Sequence, residues 1–188
     1  MKSVLRSIKP YYLYLIITGS KTVELGKDFP VSPEWDRKVE LYCSKDKKSF
    51  KRIPEEDREW MRKYIGKVAC RFVCDKIDEM LPDYNPITKQ FFYNNNWESN
   101  DWNSNDTCLS TEELNVYGKR KPLYGWHITD LKIYDKAKRL DEFYKVGKHE
   151  ACKYGKKTCL NLRITDFCKR CEFEITRPPQ SWQYMETV

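Results

Sequence analysis

Gly19-Ser20-Lys21-Thr22-Val23-Glu24-Leu25-Gly26 decides how this chain is read. Directly before it, Tyr11 to Thr18 is apolar nearly throughout and follows Ser7-Ile8-Lys9-Pro10. Proline has the fixed φ suited to a first helical turn and glycine suits a helix C-terminus, so Pro10 and Gly19 bracket a short helix. Beyond Gly19, Lys21, Val23 and Leu25 alternate with Ser20, Thr22 and Glu24, which puts the aliphatics on one side of an extended segment. A cation, a hydroxyl and a carboxylate therefore fall together at a helix-to-strand turn. Lys21 and Thr22 face opposite sides of an ideal strand, so the three share one pocket only if the strand begins irregularly. The alternative is a solvated loop in which Lys21 and Glu24 form a mutual ion pair, worth little if exposed.

The rest of the chain limits what such a turn can serve. At 188 residues the length suits one compact domain that buries a core without obligatory staples. Lysine and arginine total 35 against 28 acidic residues, a net charge of +7, and 6 Trp and 13 Tyr raise the aromatic share to 14%. Basic groups neutralise phosphates and flat rings stack on unpaired bases, although the same residues also fill cores and solvated faces. No apolar run reaches the roughly 18 residues needed to span a bilayer. Lys9 and Pro10 interrupt any signal-peptide core, so a cytoplasmic protein with no membrane partner is expected.

Outward along the chain, 27–38 is a proline-punctuated loop, and Val39 to Cys43 alternates as a barrel strand should. Ser44 to Arg52 reads as a basic loop with Lys45, Lys47, Lys48, Lys51 and Arg52, either solvated or part of a phosphate-contacting rim. Pro54-Glu55-Glu56-Asp57 opens a helix to about Tyr64, with Trp60, Met61 and Tyr64 at helical spacing and Gly66 ending it. Lys67 to Cys74 is a strand, in which Cys70 and Cys74 are small core residues. Residues 78–109 read as an irregular connection, with Trp97 and Trp102 as base-stacking platforms or docked aromatics. Ser110-Thr111-Glu112-Glu113 is a capping box that starts a short helix. Strands follow at Leu123 to Ile128 and Leu131 to Tyr134, then a helical turn from Leu140 to Tyr144.

The C-terminal region is rich in cysteine. Cys152, Cys159, Cys168 and Cys171 leave six, eight and two residues between them. One Cys-x-x-Cys pair and two further thiols supply enough ligands for a closed tetrahedral zinc site, with His149 as a possible substitute. Free thiols or a redox disulfide are the alternatives. Residues 145–172 carry many lysines and few apolar groups, so something other than a core must order them.

Ser7-Ile8-Lys9-Pro10, the apolar helix and Gly19-x-Lys21-x-x-Glu24 together resemble the opening of the ASCH family, whose motif reads G-x-K-x-x-E-x-R. Tyr124-Gly125-Trp126-His127-Ile128 and Pro178-Pro179-Gln180-Ser181-Trp182 resemble bacterial and phage-type members. The resemblance implies an α+β fold, a PUA-like mixed β-barrel with short flanking helices. Residues 1–145 would form the ASCH domain, and 146–188 a Cys-rich extension packed on it. It further implies binding of RNA or a modified nucleotide, with Lys9, Lys21, Glu24, Tyr42, Trp126 and His127 as contacts. Some members are amidohydrolases acting on N4-acylated cytidine, in which a lysine activates a threonine and a later glutamate assists. Lys21 matches the lysine, but Glu24 stands where the threonine falls. Thr22 is only a motif neighbour, and Asp75 is the nearest substitute for the glutamate. Lys21, Glu24 and Thr22 are the catalytic candidates in that case, and an ASCH-type ribonuclease is a further possibility. Gly26 stands where the motif has arginine, which removes a forked donor from the same strand face as Glu24.

Overall fold

The computed structural model describes residues 1–94, 104–146 and 173–186. Two sheets curl around a shared core. The first has the strand order β8-β4-β3-β1-β9 and the second β2-β7-β5-β6. In chain order the strands of the first are β1 (Lys2–Ile8), β3 (Trp35–Cys43), β4 (Val68–Val73), β8 (Thr129–Lys138) and β9 (Trp182–Glu186). Those of the second are β2 (Val23–Gly26), β5 (Ile77–Asn85), β6 (Gln90–Asn94) and β7 (Leu123–His127). β1 and β3 run parallel, with Val4 opposite Val39 and Ile8 opposite Cys43, while β9 pairs antiparallel on the other side of β1. The mixed, curled sheets with short helices form the expected α+β PUA-like barrel.

Helix α1 (Pro10–Ile17) provides the β1–β2 crossover. Pro10 sits in its first turn, and Gly19 takes φ +78° just beyond it, a conformation that side chains with a Cβ rarely adopt. Leu13 and Ile16 of α1 join Val4, Ile8, Val39, Leu41, Phe72 and Trp126 in the core between the sheets. A second cluster, Leu5, Tyr42, Val68, Phe143, Ile175 and Met185, covers the opposite face of the first sheet. Strand alternation explains the split, since Val4 and Ile8 point inward while Leu5 points to the other layer. Arg6 shares the inward parity of Val4 and Ile8.

Several local expectations change. Ser44–Arg52 is not simply a loop: α2 (Lys47–Phe50) forms there because the Asp46 carboxylate accepts from the Lys48 and Ser49 amides. The helix expected after Pro54 is α3 (Arg58–Met61) with a 3₁₀ turn on either side, Glu55–Asp57 and Arg62–Tyr64. The stretch read as irregular from 78 contains the β5–β6 hairpin, whose turn is held by the Asn85 side chain accepting from the Ile87 and Thr88 amides. Helix α4 (Thr111–Gly118) carries the capping box, with Ser110 Oγ accepting from the Glu113 amide at 3.2 Å. Cys70 and Cys74 are fully buried as expected. His149, Trp97, Trp102, Cys152, Cys159, Cys168 and Cys171 lie outside the described residues.

Candidate nucleotide-binding cleft

Three charged side chains from two ends of one crossover meet in the barrel. Lys21 is 2%, Arg6 3% and Glu24 9% exposed. Burying one such charge in isolation costs far more than the fold has to spare, so each must have partners. Glu24 supplies them: its Oε2 is 3.4 Å from Lys21 Nζ and its Oε1 accepts from Arg6 Nη2 at 3.3 Å. The Lys21 ammonium also donates to the Thr107 carbonyl at 2.7 Å, and Arg6 Nη2 donates to the Leu25 carbonyl. The Arg6 guanidinium lies 4.6 Å from the ring centroid of Trp126.

The local chain path brings the three together. Lys21 precedes the first paired residue of β2, and its amide is still bonded to the Leu15 carbonyl at the end of α1. The irregular start lets Lys21 and Glu24 share one side, while Thr22 is exposed and its backbone bonds to Asp106 and Ile128. Glu24 lies opposite Trp126 in the β2–β7 register, so both project toward Arg6. Burial pulls the Lys21 pKa down, and Glu24 opposes the shift.

These residues line a cleft of about 1010 Å³, within reach of a nucleotide-sized ligand. Tyr12 and Tyr117 contribute aromatic walls, and Lys9, Lys27 and Arg52 lie along it. Lys9 pairs with Asp46 at 3.9 Å. Arg52 pairs with Glu113 at 3.1 Å and covers the Tyr11 ring at 4.1 Å, which links the α2 region to α4. Gln180 and Ser181 also line the cleft. The Ser181 carbonyl accepts from the Ser7 amide at 2.9 Å, which brings the Pro178–Trp182 stretch back to the opening motif.

The remaining sequence candidates sit elsewhere. Tyr42 is buried in the second cluster. Trp126 is 0% exposed, so its ring supports Arg6 from below and offers no open face for a base. His127 is outside the cleft lining and its Nε2 is 2.7 Å from Asp78 Oδ2. The Asp75 carbonyl accepts from Arg37, and Asp75 does not line the cleft.

Solved structures with this architecture include the ASCH protein of Zymomonas mobilis, with a TM-score of 0.50 and 14% identity, covering 98% of this chain and 87% of that one. A tyrosine-to-phenylalanine variant of that protein gives the same score and identity over 99% and 91%. A serine-to-alanine variant gives 0.50 and 12% over 98% and 88%. This chain has an ASCH-type fold. Neither a family model nor a curated protein matches the sequence.

The ASCH-type barrel also accounts for Gly26. A Cβ there would stand 2.7 Å from the Asp28 carbonyl, 2.8 Å from Trp126 Nε1 and 3.4 Å from Arg6 Nη1. The guanidinium of Arg6 from β1 already lies against this position. Sequence reading missed Arg6 as a site residue, although a cation between Val4 and Ile8 on the inward parity of a strand was a usable signal. Arg52 was legible only as part of a basic loop or rim, and Tyr12 and Tyr117 were missed because only the tertiary fold brings their segments to the cleft. Among the described residues no helix is long and apolar enough to cross a membrane.

Proposed function

We propose that the cleft binds RNA or a modified nucleotide. The observation that carries this reading is the buried Arg6–Glu24–Lys21 network at the floor of an aromatic-walled cleft. Such a network keeps cations and a carboxylate fixed in low dielectric, where their hydrogen bonds discriminate among ligands. The net charge of +7 and the exposed lysines of α2 suit contacts to the backbone phosphates of a longer strand outside the cleft.

Catalysis by an amidohydrolase route has one supporting feature, the lowered pKa of Lys21, which suits a general base. Against it, the Lys21 ammonium is engaged by a backbone carbonyl and by Glu24, and Thr22 turns to solvent. That favours recognition over proton abstraction from a hydroxyl. A panel of RNAs and nucleosides, N4-acylated cytidine among them, incubated with the wild type and Lys21→Ala and read by mass spectrometry and binding at two salt concentrations, tests the choice. Salt-sensitive RNA binding without product supports the reader. Product that disappears with Lys21→Ala establishes an enzyme, whether amidohydrolase or ribonuclease. We further infer that Cys152, Cys159, Cys168 and Cys171 hold structural zinc. A stoichiometry of one zinc per chain, lost on Cys→Ser substitution, would support this; metal-free purified protein would contradict it.

A further inference from the structure

The floor of the cleft has donors to spare. Among the described residues, Arg6 Nε, Arg6 Nη1 and Ser44 Oγ are buried without a hydrogen-bond partner, and both residues line the cleft. Leaving a buried guanidinium part-satisfied is costly, because its desolvation is offset only where an acceptor reaches it. Arg6 Nη2 is committed to Glu24 and Leu25, which fixes the plane of the guanidinium over Trp126 and leaves its other nitrogens for a ligand.

The charge of the lining selects the kind of acceptor. Arg6, Lys9, Lys21, Lys27 and Arg52 are matched by Glu24, Asp28, Asp46, Glu112 and Glu113, so the cleft as a whole is formally neutral. A phosphate would meet as many carboxylates as cations. A neutral ring carrying a carbonyl meets no such repulsion, and it can stack on the tyrosine walls while its oxygen accepts from an unused Arg6 N–H.

Resting on the nucleotide-binding reading above, we propose that Arg6 is the specificity residue of the cleft and recognises a carbonyl oxygen of an uncharged nucleobase. In this arrangement β1 supplies the fork that Gly26 lacks. Gly26 is required because a Cβ there would clash with the Asp28 carbonyl and with Trp126, the ring that underlies the guanidinium. Phosphates of a bound strand then lie outside the cleft, on the basic surface.

Calorimetric titration with uridine, with purine riboside, which lacks a base carbonyl, and with inorganic phosphate tests this on the wild type alone. Uridine should bind with an affinity nearly independent of salt, and purine riboside at least about tenfold more weakly. Inorganic phosphate should neither bind in the cleft nor compete. Arg6→Lys keeps the charge but loses the unused N–H groups of the guanidinium, and should weaken uridine by about tenfold, erasing most of its advantage over purine riboside. Equal binding of uridine and purine riboside, or competition by phosphate, overturns the proposal whether or not Arg6→Lys folds. Binding of a single-stranded RNA without binding of uridine also overturns it while leaving the parent reading intact. Absence of both kinds of binding removes the two together.

Discussion

Two buried glutamates, one on each face of the first sheet's neighbourhood, are held in different ways. Glu24 faces the cleft between two cations, one of which keeps donors unused. Glu40 of β3 faces the opposite layer, where the Tyr134 hydroxyl lies 2.8 and 2.7 Å from its two oxygens. Both are almost equally hidden, so burial alone does not separate a binding site from a structural contact. The Glu40 group closes on itself. The Glu24 group ends on unfilled donors at the wall of a cleft. Unfilled capacity next to open space is what singles out the Glu24 group for the proposed binding role.

Removing Glu24 should give the largest effect. Glu24→Ala leaves Lys21 and Arg6 buried without a counter-charge and should cost about 3–5 kcal/mol in chemical denaturation. Tyr134→Phe should cost about 1–3 kcal/mol by stripping the donor from a buried carboxylate. It should leave RNA binding unchanged, and a loss of binding would break the distinction between the two sites. Gly26→Ala should cost a similar amount, about 1–3 kcal/mol, through overpacking against Trp126 and the Asp28 carbonyl. Unlike Tyr134→Phe, it should also weaken ligand binding.

The two sites should differ in sign with pH as well. Burial raises the Glu40 pKa, so between the ordinary carboxylate value and the raised one the folded protein keeps a proton that the unfolded chain has lost. Stability from this group therefore falls as pH rises through that window, and Glu40→Gln should flatten the fall. Burial lowers the Lys21 pKa, so from that lowered value up to 10.5 the unfolded chain holds the extra proton. Stability from Lys21 rises with pH there, and Lys21→Met should abolish the rise. Denaturation midpoints across the two ranges measure both. Ser110→Ala, which removes only the α4 cap, should cost about 1 kcal/mol and serves as the small reference effect.

The contrast also explains what could be read from the chain beforehand. Pro10 and Gly19 bound α1 by backbone chemistry alone, and the Ser110 capping box marked α4, because both signals are local. The β5–β6 hairpin escaped because Asp78 occupies a buried position in β5, where an apolar residue would have shown the alternation. That aspartate is tolerated because His127 reaches it from β7, with Lys76, two residues back, as a second partner. Lys21 and Glu24 were legible as a motif, and their burial was not. Arg6 lies 18 residues from Glu24. Its role depends on which strands pair, as does the reassignment of Trp126 from stacking surface to buried support.

On the proposed reading, the ligand occupies the cleft above Arg6, Glu24 and Lys21. Photocrosslinking of a single-stranded RNA containing 4-thiouridine, with the adducts mapped by mass spectrometry, tests it most directly. Adducts are expected on Tyr12 and Tyr117, the aromatic walls of the cleft. Adducts confined to Tyr84 and Phe91, the aromatic pair on the β5–β6 hairpin, would contradict it.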